Sequence, residues 1–182
     1  MGLVGILDVA RYVLQPRKPM VAMKHQKLCW YSQAWFLADH GTPLFVEDFT
    51  AWDNGPVCND LLAAHRGKYI VTSQDLPGGD ADRLADYARA RVDETLDAYG
   101  HLSAAQLGEL ARREDPWIRA MSRRKSGRDG IIPKDRMLSF YRTLKTSTNA
   151  IDVDEVDWPA WLVPSNPRPA TREARQGPYP GA

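Results

Sequence analysis

The stretch from residue 23 to residue 56 constrains the fold of this chain more than any other. Apolar residues recur there at spacings of three and four, which predicts one face of an α-helix: Leu28, Tyr31, Trp35 and Ala38. A second apolar row runs beside the first: Trp30, Ala34 and Leu37. Two adjacent rows predict a helix that packs on more than one side. Gly41 follows the last periodic residues, where helices often end in a left-handed cap.

After Gly41 the sequence predicts a short extended piece and then a sharp turn into another helix. Phe45, Phe49 and Trp52 flank charged positions in the extended piece, and we expect Trp52 to lie in the core. The turn itself is dense in residues that favour turns: Asp53, Asn54, Gly55 and Pro56. Pro56 is predicted to occupy the first turn of the following helix, which runs towards Gly67.

Helical spacing also dominates the rest of the chain. Further helices are predicted over 3–14 and 83–99, after the capping pair Ser103 and Gln106, after Asp115–Pro116, and through Met137 to Leu144. Residues 69–71 form a short β-prone piece. The fold class is therefore mainly α. We predict a single compact domain over residues 3–145, with about six or seven helices and a minor β element, followed by a tail over 146–182.

The tail begins with an acidic run and continues into a proline- and tryptophan-rich stretch that we expect to be partly disordered. The acidic residues are Asp152, Asp154, Glu155 and Asp157. They lack the glycine and the distal glutamate of a calcium loop, and one interpretation is that they fold back on the basic residues of the chain. Trp158 and Trp161 are predicted either to dock on their own domain or to anchor a partner protein.

Composition narrows the classes of protein. The chain has 182 residues, a net charge of +1, and 43% hydrophobic and 26% charged residues, which is typical of a globular domain. It contains no apolar run long enough for a transmembrane helix, and its first charges follow the apolar N-terminal part, unlike a signal peptide. We therefore expect a cytoplasmic protein without a membrane partner, whose two cysteines, Cys29 and Cys58, are buried and reduced.

Motifs of catalysis are missing from the sequence. It contains no nucleophile elbow, no phosphate-binding glycine loop and no pair of zinc-binding histidines around a glutamate. His25 and Cys29 are four residues apart on one helix face, but two ligands do not make a metal site. We predict no catalytic residue, no cofactor and no metal. An active site assembled from distant residues stays open at this point.

One basic cluster interrupts the otherwise balanced charge: Arg123, Arg124, Lys125 and Arg128. It has neither interleaved aromatic residues nor a groove-reading motif, so binding of nucleic acid is not favoured. The cluster is expected to lie in a polar loop over 122–130. A solvated loop, contact with an acidic protein partner, and contact with a phosphate backbone remain the three interpretations.

The residues of the first stretch resemble the opening of the Panacea domain, the SocA-like antitoxin domain that also occurs in phage-associated GepA-type proteins. The matching residues up to the turn are Lys24, Gln26, Lys27, Leu28, Trp30, Tyr31, Gln33, Ala34, Trp35, Pro43, Leu44, Phe45, Ala51, Trp52, Gly55, Pro56 and Val57. Later matches, in the same order as in the family, are Val92, Asp93, Tyr99, Gly100, Leu107, Glu114, Pro116, Trp117 and Tyr141. The chain departs from the family at Phe36, where histidine is frequent, and at residues 58–60.

The resemblance implies a non-enzymatic antitoxin of a bacterial or phage two-gene system, with a role in phage defence. Such a protein would neutralise a toxin encoded by a neighbouring gene through direct protein–protein contact, or deliver it to a cellular protease as an adaptor. The candidate contact residues are Asp53 and Asn54 at the turn, the basic cluster, and Trp158 and Trp161. The rival classes are a DNA-binding transcriptional regulator and an enzyme with a dispersed site.

Overall fold

Seven α-helices account for most of the residues that the computed structural model describes, which are 4–15 and 19–147. They are α1 (Ile6–Leu14), α2 (Ala22–His40), α3 (Asn59–Ala64), α4 (Asp86–Tyr99), α5 (Ala104–Arg113), α6 (Asp115–Lys125) and α7 (Lys134–Thr146). The mainly α prediction is confirmed. The predicted domain boundary at residue 145 stays a prediction, and the tail from residue 148 onwards lies outside the described residues.

Helix α2 lies at the centre, in contact with α1, α4, α5 and α7. Its residues are buried almost without interruption from His25 to Ala38, so the helix has no solvent-facing side along that length. The two apolar rows correctly predicted packing on several sides. At its end Gly41 takes a φ of 73°, and its N–H donates to Leu37 O at 2.8 Å, as expected of a left-handed cap.

Five short strands form the minor β element of the described chain. β1 (Met20–Val21) pairs antiparallel with β4 (Ile70–Val71). β2 (Phe49–Trp52) lies between β3 (Gly55–Cys58) and β5 (Ile131–Ile132), antiparallel to both. Strands β2 and β3 form a tight hairpin, in which Trp52 lies opposite Gly55 across the turn residues Asp53 and Asn54.

The hairpin corrects the prediction for Pro56. This proline belongs to strand β3, opposite Ala51, and helix α3 begins only at Asn59. Turn residues followed by proline suit a helix start and a strand equally well locally, because both conformations accept the fixed φ of proline. Pairing with β2 decided the outcome, since the register from Phe49 to Cys58 places β3 in the buried interior.

Several helix boundaries follow their local signals. Ser103 Oγ accepts the N–H of Gln106 at 3.2 Å, and the Gln106 side chain accepts the N–H of Ser103 at 2.9 Å, so the predicted capping box is present. The helix predicted over 83–99 starts at Asp86, because residues 81–83 form a 3₁₀ turn. Arg123, Arg124 and Lys125, expected in a loop, form the last turn of α6. No helix of the described residues combines the length and the apolar character needed to cross a membrane.

Aromatic side chains fill the space between α2, α4 and α7. Trp35 packs edge-to-face on Tyr141 with ring centroids 4.8 Å apart, and its indole N–H donates to Tyr99 Oη at 3.0 Å. Tyr31 stacks on Tyr99 at 4.2 Å. All four residues are buried, as predicted for Tyr31 and Trp35. Trp52 is not: 38% of its surface is exposed, because it ends strand β2 at the tip of the hairpin.

Candidate functional site

Two glutamines of α2 hold the backbone of neighbouring segments. The Gln26 side chain accepts the N–H of Cys58 at 2.9 Å and donates to Cys58 O at 3.1 Å. Gln33 accepts the N–H of Leu44 at 2.7 Å and donates to Phe45 O at 2.8 Å. Each side-chain amide therefore makes the two hydrogen bonds that a neighbouring strand could make. Without them, these backbone groups would be buried with unsatisfied hydrogen-bonding capacity. Gln26 and Gln33 therefore hold the segments around α2 in place.

Lys27 carries a charge into the interior beside the hairpin. Its ammonium donates to Pro56 O at 2.8 Å, and its side chain is fully buried. Burial, with a smaller contribution from the nearby positive charge of Arg112, lowers the pKa of Lys27 to about 7. The Lys27 stem lies directly beneath Gly55, where an added Cβ atom would come within 2.8 Å of Lys27 Cε. Gly55 thus permits the close approach of α2 and β3.

A second buried group, Glu114, lies where α5 ends and α6 begins. Its carboxylate accepts the hydroxyl of Tyr31 at 3.1 Å and that of Tyr141 at 2.6 Å. Trp30 Nε1 in turn donates to Tyr141 Oη at 3.1 Å. Burial raises the pKa of Glu114 to about 7, although the hydrogen bonds act in the opposite direction. The cluster is closed to solvent, and its partners fix α2, α6 and α7 to one another.

The backbone of the hairpin tip is held by side chains from three helices. Four backbone carbonyl oxygens in all, one of the turn and three of its flanking strands, each accept a hydrogen bond from a lysine, arginine or tryptophan side chain. The pairs are Arg124 Nη1 to Ala51 O at 2.6 Å, Trp117 Nε1 to Trp52 O at 3.1 Å, Arg112 Nη1 to Asp53 O at 3.3 Å and Lys27 Nζ to Pro56 O at 2.8 Å. The tip is consequently fixed against α5 and α6, and the exposed side chains of Asp53 and Asn54 project from a rigid base.

These contacts assemble one surface from the hairpin tip, the end of α6 and the loop that follows it. We call it the hairpin–α6 surface, and it consists of Trp52, Asp53, Asn54, Arg123, Arg124, Lys125, Arg128 and Ile131. The Arg124 guanidinium lies over the Trp52 ring at 5.3 Å from its centroid, a cation–π arrangement. Arg123 donates to Ile131 O, which ties α6 to β5. The surface combines exposed apolar groups with positive charge.

Two sets of candidate contact residues that are distant in sequence are thereby brought together. Arg124 joins them: its guanidinium lies over the ring of Trp52, next to the turn residues Asp53 and Asn54, and donates to Ala51 O. Trp158 and Trp161 lie outside the described residues. Among the described residues, no carboxylate forms an ion pair with a side chain of the basic cluster.

Sequence reasoning missed two residues that shape this surface. Arg112 supports the turn from α5, and Ile131 is an exposed apolar residue at the edge of the sheet. Arg112 follows Glu109 by three residues and forms an ion pair with it at 2.6 Å, so its local sequence indicates only an ordinary helix surface. Successive strand residues point to opposite faces, and in β5 Ile132 is buried while Ile131 is exposed, so the double isoleucine was a signal for an apolar residue on the outer face of the sheet.

Histidines and cysteines gather near the start of α2. His25 donates through Nε2 to Ala10 O at 2.8 Å, and burial lowers its pKa to about 4, so the ring is neutral. Burial also raises the pKa of both Cys29 and Cys58, the latter to about 11, and both are free thiols. Within residues 4–15 and 19–147, no group of three or more histidine, cysteine or acidic side chains is placed to hold a metal ion.

The comparisons with known proteins give one match. A family model described as "Antitoxin SocA-like, Panacea domain" matches residues 26–118, which is just over half of the chain. The matched region begins in α2, includes the whole hairpin and ends within α6. No curated protein and no solved structure matches the chain significantly.

Proposed function

Because the chain belongs to the SocA-like antitoxin family and carries its Panacea domain, we propose that it neutralises a cognate toxin by direct protein–protein binding. The family match over residues 26–118 is the observation that carries this proposal. The toxin would be the product of a neighbouring gene, and the encounter would take place in the cytoplasm. The protein would act by masking the toxin rather than by catalysis.

We propose the hairpin–α6 surface as the place of toxin contact. Its tip is already rigid, because four of its carbonyl oxygens are held by side chains from α2, α5 and α6. A rigid surface loses little conformational entropy on binding. Trp52 is half-exposed beside Arg124, and tryptophan and arginine are the residue types that most often dominate interface energies. The exposed turn residues Asp53 and Asn54 would add specificity.

Growth of cells tests the proposed function directly. The chain would be expressed together with its immediate genomic neighbour, and growth and co-purification would be measured. Restored growth with a stable complex supports masking. Restored growth with loss of the neighbour's protein would instead support delivery to a protease as an adaptor. A neighbour that is harmless by itself would remove the main support for the antitoxin proposal.

A matched pair of variants tests the contact surface. Asn54→Arg places a bulky cation at the exposed tip of the hairpin, where the asparagine side chain is free to change without loss of core packing. Gln74→Arg makes the same type of change in an exposed 3₁₀ turn remote from the hairpin. Loss of neutralisation in Asn54→Arg alone, with unchanged melting temperature, is the expected result. Full neutralisation by both variants would place the toxin elsewhere.

A DNA-binding transcriptional regulator is the second candidate, and the exposed basic cluster is the observation that favours it. Contacts with phosphates release counterions, so DNA affinity would fall steeply as salt increases. The test is binding to the chain's own upstream DNA at two salt concentrations. A specific, salt-sensitive complex that Arg128→Glu weakens would support this second role.

A further inference from the structure

We propose that the acidic segment of residues 152–157 binds the hairpin–α6 surface of the same chain and covers it while no toxin is bound. The charge of the segment, its apolar pattern and its reach support the docking itself. Its consequence, that the segment competes with the toxin, rests on the proposed function of this surface.

The surface carries positive charge that forms no ion pair with a carboxylate of the described residues. Its four cations are Arg123, Arg124, Lys125 and Arg128, and its one carboxylate is Asp53; even with Asp129, which follows Arg128 in the chain, an excess of two positive charges remains. Asp129 is occupied locally, since its Oδ1 accepts the N–H of Ile131 at 3.2 Å. An acidic ligand therefore gains attraction here without displacing an existing ion pair.

The sequence of the segment is complementary in both charge and polarity. Four acidic residues, Asp152, Asp154, Glu155 and Asp157, fall within six positions, and Val153, Val156 and Trp158 are interspersed with them. The hairpin–α6 surface offers the corresponding groups side by side: exposed cations together with the half-exposed ring of Trp52 and the side chain of Ile131. Acidic residues with apolar neighbours suit this combination better than a purely charged peptide would.

The length of the chain allows the contact. Helix α7 leaves β5 next to the surface, and its last turn lies at the far end of α2, where Lys145 pairs with Asp39 at 2.7 Å. Thirteen residues of helix span about 20 Å, so the chain must return roughly that distance. Asp154 follows Thr146 by eight residues, which reach at most about 26–29 Å when extended. The acidic residues are thus the first part of the tail that can arrive at the surface.

A spin label on the full chain tests the docking. Ala160→Cys leaves the acidic run intact, and the label would react there selectively, because Cys29 and Cys58 are buried thiols with raised pKa values. The expected result is paramagnetic broadening of the amide signals of residues 52–54 and 123–131. Broadening confined to the ends of α2 and α7, or spread evenly over the domain, would overturn the proposal.

Charge variants separate electrostatic docking from chance proximity. Lys125→Glu with Arg128→Glu should abolish the broadening, as should salt at about 1 M, where the Debye length is only about 3 Å. The matched control is Arg66→Glu, an exposed residue just beyond α3, at the end of β3 opposite to the hairpin tip. Broadening that persists in the double variant, or that Arg66→Glu abolishes equally, would contradict the proposal.

Addition of the toxin distinguishes failure of this proposal from failure of the proposed function. The covering role is supported if the chain neutralises the product of the neighbouring gene and that product also releases the label from the surface. Neutralisation without release would show that the segment does not cover the toxin site. A neighbour that is not toxic would overturn the function, while the broadening in the isolated chain would still report on the docking.

Discussion

Glu114 shows how one buried carboxylate can govern the pH dependence of the whole domain. Its pKa is about 7 in the folded chain against an ordinary value of 4.5. The folded state therefore binds more protons than the unfolded state between these two pH values, and its contribution to stability is lost as pH rises through that window. The raised pKa of Glu114 cannot be predicted from the local sequence, because helices distant in the chain bury the carboxyl group.

The first prediction concerns Glu114→Gln. The amide oxygen can accept the hydroxyl of one of the two tyrosines, Tyr31 or Tyr141, and the amide NH2 can donate to the other, but the amide cannot titrate. We expect the free energy of unfolding of the native chain to fall by up to about 3 kcal/mol, relative to the variant, between pH 4.5 and pH 7. Urea titrations at several pH values measure it. His25, with its lowered pKa, contributes the opposite slope to both proteins, so the difference between them is decisive. Equal pH profiles would contradict the prediction.

The second prediction concerns Trp35 in the aromatic core. Trp35→Ala removes a buried ring, its edge-to-face contact with Tyr141 and its hydrogen bond to Tyr99, which should cost about 3–5 kcal/mol of stability. Tyr69→Ala is the control, because Tyr69 is 75% exposed and its loss should change stability by no more than about 0.5 kcal/mol. Thermal unfolding compares the two. A native melting temperature for Trp35→Ala would show that the core does not depend on this ring.

At the scale of elements, the β2–β3 hairpin depends on the approach of α2 beneath it. Gly55 has a φ of 99°, and a Cβ atom there would meet the buried Lys27 stem. Gly127 also has a positive φ, of 81°, but an added Cβ atom would find no heavy atom within 4 Å. The two glycines therefore separate the cost of backbone conformation from the cost of close packing.

The third prediction uses this pair. Gly127→Ala should cost about 1–2 kcal/mol through backbone strain alone. Gly55→Ala should cost at least about 1 kcal/mol more, because Lys27 Cε must move and its hydrogen bond to Pro56 O must lengthen. Chemical denaturation measures both values. If the two substitutions cost the same, Lys27 has room to move and the hairpin is less firmly held than its hydrogen bonds indicate.

At the scale of the whole molecule, net charge is a poor guide to where a partner binds. The chain carries a net charge of only +1, yet four cations fall within residues 123–128 of the hairpin–α6 surface, and one of them, Arg124, lies over the exposed ring of Trp52. A local field of this kind accelerates association with an acidic partner and is screened by salt.

The fourth prediction concerns association with the toxin. The association rate should fall about tenfold or more between low and high ionic strength, and Lys125→Glu with Arg128→Glu should flatten that dependence. Arg66→Glu, which lies away from the surface, should leave the slope unchanged. Stopped-flow or surface-based kinetics at several salt concentrations would measure it. Indistinguishable slopes for all three proteins would mean that the basic cluster does not face the toxin.

Local sequence determined the elements whose signals are themselves local. The period of apolar residues in α2, the glycine cap at Gly41 and the capping box of Ser103 and Gln106 depend on contacts within a few residues, so a single chain suffices to predict them. The ordered family markers predicted the SocA-like domain, and the match over residues 26–118 confirms it. The mainly α fold follows from the same patterns.

Only the tertiary structure decided the rest. Trp52 is exposed rather than buried, Pro56 is in a strand rather than a helix, and the turn meets the basic cluster through Arg124 and Ala51, which are 73 residues apart. A hydrogen bond to a backbone carbonyl cannot be predicted from the identity of the accepting residue, since every residue has the same carbonyl group. Which arginine reaches which strand depends on how the helices pack, and that is a property of the whole chain.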